Sequence, residues 1–201
     1  MGLDTQALAT HFRMSMVCTR AWLFRLIVAG LLVTANTARA DDHSDVNRLV
    51  NAGLWSDAIR RSDQFLASHP RDARMRFLKG LALTEQGQLT EAIALFTQLT
   101  EDFPELPEPY NNLAVVYSKQ GRYEQARRSL EAAIRVHPGN ATAYENLGDV
   151  YAKLASQAYS RAQQIDAGNA TVGLKLATIR DLFASKASAL QEAASPRVPG
   201  R

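Results

Sequence analysis

In the middle of this chain, apolar residues return every three or four positions, as in Leu113, Ala114 and Tyr117 and again in Ala126, Leu130 and Ala133. That period puts an apolar stripe on each of a series of amphipathic helices. The helices are punctuated at a fixed interval. Gly53, Gly87 and Gly121 lie 34 residues apart, and so do Ala58, Ala92 and Ala126, and Pro70, Pro104 and Pro138. Trp55, Leu89 and Tyr123 keep step, each two residues after its glycine. Each glycine falls where a first helix stops and the chain must turn, which calls for a residue free to take φ > 0. Each alanine falls where two helices cross closely and a larger side chain would force them apart. Each proline closes a second helix, because it lacks an N–H and disfavours helix at the residue before it. One such hairpin cannot bury its own apolar face, so the pattern predicts an all-α stack of hairpins wound into a superhelix.

A fourth hairpin begins with Tyr144, Leu147, Gly148 and Tyr151, and second-helix spacing reappears as Ala155, Tyr159 and Ala162. In the two preceding repeats nine residues separate Leu83 from Ala92 and Tyr117 from Ala126, whereas four separate Tyr151 from Ala155. Five residues are missing, the turn glycine among them, and Val150 to Asp166 contains no Gly, Pro or Asn. The spacing therefore predicts one unbroken helix from about Thr142 to Asp166, closed by Gly168-Asn169. A last amphipathic helix is predicted over 170–187, with Val172, Leu176, Ile179 and Phe183 on one face. Its expected duty is to cap the open end of the stack; the alternative is a homodimer contact through these C-terminal helices. Residues 188–201, rich in Ala, Ser and Pro, read as a disordered tail.

These repeats resemble the tetratricopeptide repeat family, whose fold is a right-handed superhelical solenoid. The third repeat, 107–140, carries the family pattern at Tyr110, Leu113, Ala114, Tyr117, Gly121, Tyr123, Ala126, Leu130, Ala133 and Pro138. The second, 73–106, carries it at Gly80, Leu83, Gly87, Leu89, Ala92, Phe96 and Pro104, and departs from it at Arg76 and Lys79. The first, about 41–72, keeps Gly53, Trp55, Ala58 and Pro70 but has a clipped first helix and Ser62 where a large apolar residue is usual. The shortened fourth covers 141–169.

The resemblance implies that first helices line a concave groove that binds a protein or peptide partner. The side chains expected there are Arg74, Phe77, Leu81, Thr84 and Glu85 from the second repeat. The third supplies Glu108, Asn111, Val115, Ser118 and Lys119, and the fourth Thr142, Glu145, Asp149 and Lys153. Asn112 and Asn146 occupy the family's usual asparagine position, but the basic residues of a carboxylate clamp are absent at Leu81, Val115 and Asp149. The two asparagines are therefore expected to hydrogen-bond between neighbouring repeats, and the groove to take a short apolar or amphipathic peptide.

Composition adds an address. The chain has 201 residues, with 23 Lys and Arg against 20 Asp and Glu, and residues 1–40 hold four arginines and one aspartate of these. The remaining 161 residues are balanced at 19 of each, which removes the electrostatic footprint of a nucleic-acid binder. The first forty residues have a basic stretch ending at Arg25, an apolar run from Leu26 to Ala35, and the small-x-small motif Ala38-Arg39-Ala40. This is the layout of a secretory signal peptide over 1–40, cut after Ala40 to leave Asp41. The apolar run is too short to span a membrane, so no stable span is expected after cleavage. Met14 and Met16 are alternative starts within the long basic stretch. The only cysteine, Cys18, leaves with the signal, so disulfides and thiol chemistry are not expected.

His69 and His137 each precede a repeat-ending proline, where a histidine favours the helix C-terminus, and His43 falls in a frayed start. No metal site, cofactor site or catalytic grouping is expected. Asn140-Ala141-Thr142 and Asn169-Ala170-Thr171 fit the glycosylation sequon, but their threonines read as N-cap or first-turn residues. Segments 105–114 and 145–155 resemble exported proteobacterial members of the family. The expectation is thus a non-enzymatic periplasmic scaffold or adaptor with a setting in cell-envelope assembly. The alternatives are an accessory domain of a cell-wall enzyme system and a dimeric structural module.

Overall fold

The computed structural model describes residues 42–194, with side chains through 184. The signal segment with Cys18, the cleavage motif and residues 195–201 lie outside the described residues. Eight helices and no strand occur among the described residues. They are α1 (42–51), α2 (Trp55–Ser68), α3 (Ala73–Gln86), α4 (Leu89–Asp102), α5 (Pro107–Lys119), α6 (Tyr123–Val136), α7 (Ala141–Ile165) and α8 (Ala170–Ala194). The chain divides into two compact units, the first ending at Leu78 and the second starting at Lys79.

In the first unit, the Gly53 turn (φ +73°) reverses the chain between α1 and α2. Val46, Ala58, Ser62 and Met75 are fully buried, and Phe65 and Leu78 nearly so. Ser62 makes its hydroxyl acceptable there by donating to the Ala58 carbonyl at 2.7 Å, one turn back along α2. The departure at Arg76 is a buried arginine, 6% exposed. His43 is not frayed, contrary to the sequence expectation. Its Nε2 lies 2.9 Å from Asp72 Oδ1, and its ring packs 5.2 Å from that of Phe65. Asp72 also accepts the Met75 N–H at 2.8 Å, capping α3, so one carboxylate orders two helix starts.

In the second unit, α5 packs on α4 and α6, α7 on α6, and α8 on α7. The turn glycines Gly87 (φ +86°) and Gly121 (φ +72°) are in the left-handed region, as the repeat requires. Ala92 and Ala126 are fully buried at the helix crossings. Leu130, Ala133, Ala143 and Val150 form a core with Ala114 and Ala126, against which Tyr110, Tyr117, Tyr123 and Leu147 pack.

Gly80 marks a close approach within a hairpin. A methyl group there would come within 2.6 Å of the Phe96 ring, and Phe96 is fully buried. One repeat on, the same two columns hold Ala114 and Leu130, which share one core. One repeat earlier they hold Val46 and Ser62, both fully buried. Size thus varies inversely between the two columns: glycine with phenylalanine, alanine with leucine, valine with serine.

The fourth repeat breaks this pairing. α7 runs 25 residues without interruption, as the missing turn predicts, so no second helix folds back over Gly148. Nothing lies within 4 Å of a methyl group built there, and Tyr144 and Tyr151 on either side are 52% and 49% exposed. The Asn140 side chain caps α7, accepting the Ala143 N–H at 3.0 Å, and Asn169 accepts the Val172 N–H at 3.3 Å at the start of α8. The asparagines of both sequons are therefore the caps, and the threonines are first-turn residues. α8 continues to Ala194, past the expected boundary at Ala187, so 188–194 is helical rather than tail. The segment is rich in alanine and has no Gly or Pro before Pro196, which favours continuation.

Substituting the two glycines should have opposite effects. Gly80→Ala should destabilise by about 1–3 kcal/mol, because the buried Phe96 ring has nowhere to go and overpacking outweighs the helix-propensity gain. Gly148→Ala should stabilise by roughly 0.5–1 kcal/mol, since the methyl meets only solvent. Urea unfolding followed by circular dichroism measures both; shifts of the same sign would contradict the assigned packing.

Candidate functional site

The second unit holds a cavity of about 320 Å³ between α5, α6 and α7. Its apolar walls are Ala114 and Val115 of α5, Tyr123 and Leu130 of α6, and Val150 of α7. Its polar rim is Ser118 and Lys119 of α5 with Asn146, Asp149 and Lys153 of α7. The last wall residue is Phe183 of α8. The residues arrive together because of helical spacing. Val115, Ser118 and Lys119 lie within about one turn of α5, and Asn146, Asp149 and Lys153 recur at steps of three and four on α7.

Two polar contacts brace the site. Asn146 Nδ2 donates to Asn111 Oδ1 at 2.9 Å, tying α7 to α5 across the repeat boundary. Lys119 Nζ donates to Glu85 Oε1 at 2.9 Å, with both side chains 40–49% exposed. A pair so wetted contributes little to stability, but it holds the Lys119 ammonium at the rim. Lys153 places its Nζ 3.8 Å from the centroid of the Phe183 ring. α8 runs antiparallel to α7, for Gly173 sits beside Gln163, Lys175 over the Tyr159 ring, and Phe183 beside Lys153.

Of the groove residues expected from sequence, Val115, Ser118, Lys119, Asp149 and Lys153 line this cavity. Glu85 and Asn111 stand one contact away, through Lys119 and Asn146. Leu81, half-buried, and Glu145, exposed, do not line it. Arg74, exposed, and Phe77, half-buried, belong to the first unit, and the cavity is built without them. Thr84 is not available to a ligand: it is buried and donates to the Gly80 carbonyl at 2.8 Å. Asn146 makes the expected bond between repeats. Asn112 does not, since its Nδ2 donates to the Glu108 carbonyl at 2.9 Å within its own helix. The walls Ala114, Tyr123 and Leu130 belong to the repeat pattern read from the sequence and line the cavity's floor as well, together with Val150, which the pattern did not single out. Local spacing puts Phe183 on the apolar face of α8 but does not bring it to this site; it arrives through the packing of α8 on α7.

Among the described residues, no group of three or more His, Cys, Asp or Glu side chains could hold a metal ion. His69 and His137 cap helix C-termini, and His69 stacks on Phe65 at 4.6 Å between centroids. Arg127 donates hydrogen bonds to the Glu124 and Glu131 carboxylates, which with their negative charge raise its guanidinium above its usual range. That group is charged at neutral pH in any case, so the shift supplies no acid or base.

Two family models, each described as tetratricopeptide repeat, match residues 46–107 and 83–154, together more than half of the chain. The chain belongs to the tetratricopeptide repeat family. Over 91 residues it is 38% identical to the TPR repeat-containing protein YvcD of Bacillus subtilis, covering 45% of this chain and 17% of that one. Among solved structures, the first TPR domain of human RPAP3 superposes with a TM-score of 0.56 at 16% identity, over 59% of this chain and 94% of that one. YrrB, described as a TPR protein with an unusual peptide-binding site, gives a TM-score of 0.50 at 25% identity, over 52% of this chain and 54% of that one. No helix among the described residues is long and apolar enough to cross a membrane.

The Asn111–Asn146 bond should be worth about 1 kcal/mol to the second unit. Asn111→Ala and Asn146→Ala should each cost roughly that much, and the double variant little more than either, because both remove the same bond. A double-mutant cycle by urea unfolding measures it; full additivity would show that the two side chains do not act as a pair.

Proposed function

We propose that this chain is an exported, non-enzymatic interaction scaffold that binds a peptide segment of a partner protein against α5 and α7. The observation that carries the reading is the cavity with an apolar floor and charged rim, opening beside half-buried Val115. Such a surface suits an extended or helical peptide that buries one apolar side chain and leaves polar groups at the rim. The similarity to YrrB, whose description names a peptide-binding site, supports the same direction. Incorporating benzoylphenylalanine at Val115 should yield a discrete cross-linked partner in cells, while the same probe at exposed Arg128 should not. Equal labelling from both positions, or none from Val115, would overturn the groove assignment.

Export is part of the proposal and rests on the basic stretch, the apolar run and Ala38-Arg39-Ala40. The setting is the periplasm and the biological context cell-envelope assembly. N-terminal sequencing of protein recovered from the periplasmic fraction should begin at Asp41; recovery of uncut chain in the cytoplasm would refute export.

A further inference from the structure

We infer that Phe183 of α8 is a built-in occupant of the peptide site, and that the side chain a partner inserts there is aromatic. This deepens the groove reading above and rests on it. The side chain that meets the rim in the free protein is itself a ring, and Lys153 holds its ammonium 3.8 Å from that ring's centroid. An ammonium at this range is attracted to the face of an aromatic ring and gains no comparable contact from an aliphatic side chain. Val115 and Val150 supply apolar surface beside it, and about 320 Å³ remains open next to the ring. Lys153 already has one face turned to the Phe183 ring, so a partner's ring that takes the same face of the ammonium competes with Phe183.

α8 is built to allow that exchange. Its first half is anchored by Val172 and Leu176, 8% and 3% exposed. Farther along, Ile179 and Phe183 are only half-buried, and Leu182 is 55% exposed. No side chain between 177 and 184 is buried, and such a stretch opens at lower cost than the core it rests on. The turn of α8 that carries Phe183 can therefore move away while Val172 and Leu176 stay docked on α7. In this arrangement α8 competes with the partner for the cavity, and affinity is set by the difference between two rings for one cation.

The test uses isotope-labelled chain and two probes, N-acetyltryptophanamide and N-acetylleucinamide, titrated into wild type, Phe183→Ala, Phe183→Leu and Lys153→Gln. The tryptophan probe should shift the amides of Val115, Asn146 and Lys153. It should bind Phe183→Ala several-fold more tightly than wild type. Phe183→Leu, which keeps an apolar anchor for α8 but no ring, should also bind it more tightly. Lys153→Gln should weaken the tryptophan probe several-fold and leave the leucine probe unchanged. Equal or weaker binding by both Phe183 variants, or equal response of the two probes to Lys153→Gln, would overturn the inference. If that happens while Val115 still cross-links a partner, the groove reading stands and only the role of Phe183 falls. Failure of the Val115 cross-link with the probe results as expected would remove the partner and leave the aromatic site.

Discussion

Two helices can lie close together only where one of them offers almost no side chain to the other. In this protein that constraint is met by a pair of columns that share a fixed volume. The glycine at 80 admits the Phe96 ring to a distance that any side chain would forbid. At the next repeat the division is more even, alanine against leucine, and at the first it is inverted, valine against serine. Everything downstream follows from keeping the hairpins this tight. The turn glycines adopt positive φ because a tight hairpin needs an abrupt reversal. The closely packed α5, α6 and α7 also set one repeat against the next, so that Val115 and Asn146 meet at a single site.

The fourth repeat shows what the same constraint does when the turn is deleted. The residue that would cover Gly148, by its column, is Tyr159. On an unbroken helix it lies eleven residues farther along, about 16 Å away at 1.5 Å per residue, and cannot reach back. Gly148 is left without a partner, Tyr144 and Tyr151 stay half in water, and α8 docks antiparallel on α7. It brings Phe183 to the rim of the cavity. A five-residue loss in sequence has thus changed which part of the chain borders the groove.

How much of this could be read from sequence depends on whether the governing contact is local. Helix positions, turn glycines, the unbroken α7 and the family itself were legible, because each is fixed by residues within one 34-residue period. The sequence also placed Val115, Ser118, Lys119, Asp149 and Lys153 on one surface, and all five line the cavity. His43 was misread because its partners, Asp72 and Phe65, are 29 and 22 residues away, and no local pattern pairs them. Asn112 was misread because a side chain one residue off the groove face finds its own helix's carbonyl first. Phe183 was assigned to the correct face of its helix. What that face would meet depended on how α8 packs, and packing of a helix outside the repeat is not encoded in the repeat.

The cavity's composition narrows what kind of recognition it can perform. Its floor consists of residues that also hold the second unit together, Leu130 and Ala114 among them. Such residues cannot vary freely with the partner without loosening the hairpins. Specificity must therefore be carried by the rim, where Ser118, Lys119, Asp149 and Lys153 project from two helices without contributing to the core. Asn146 stands between these roles, lining the cavity while bonded to Asn111 across the repeat boundary. A ligand that drew the Asn146 amide away from Asn111 would weaken the junction it sits on. A ligand that left it in place would find the groove already shaped. The second case costs less, so the geometry favours a partner that reads Lys119, Asp149 and Lys153 and leaves the asparagine pair intact.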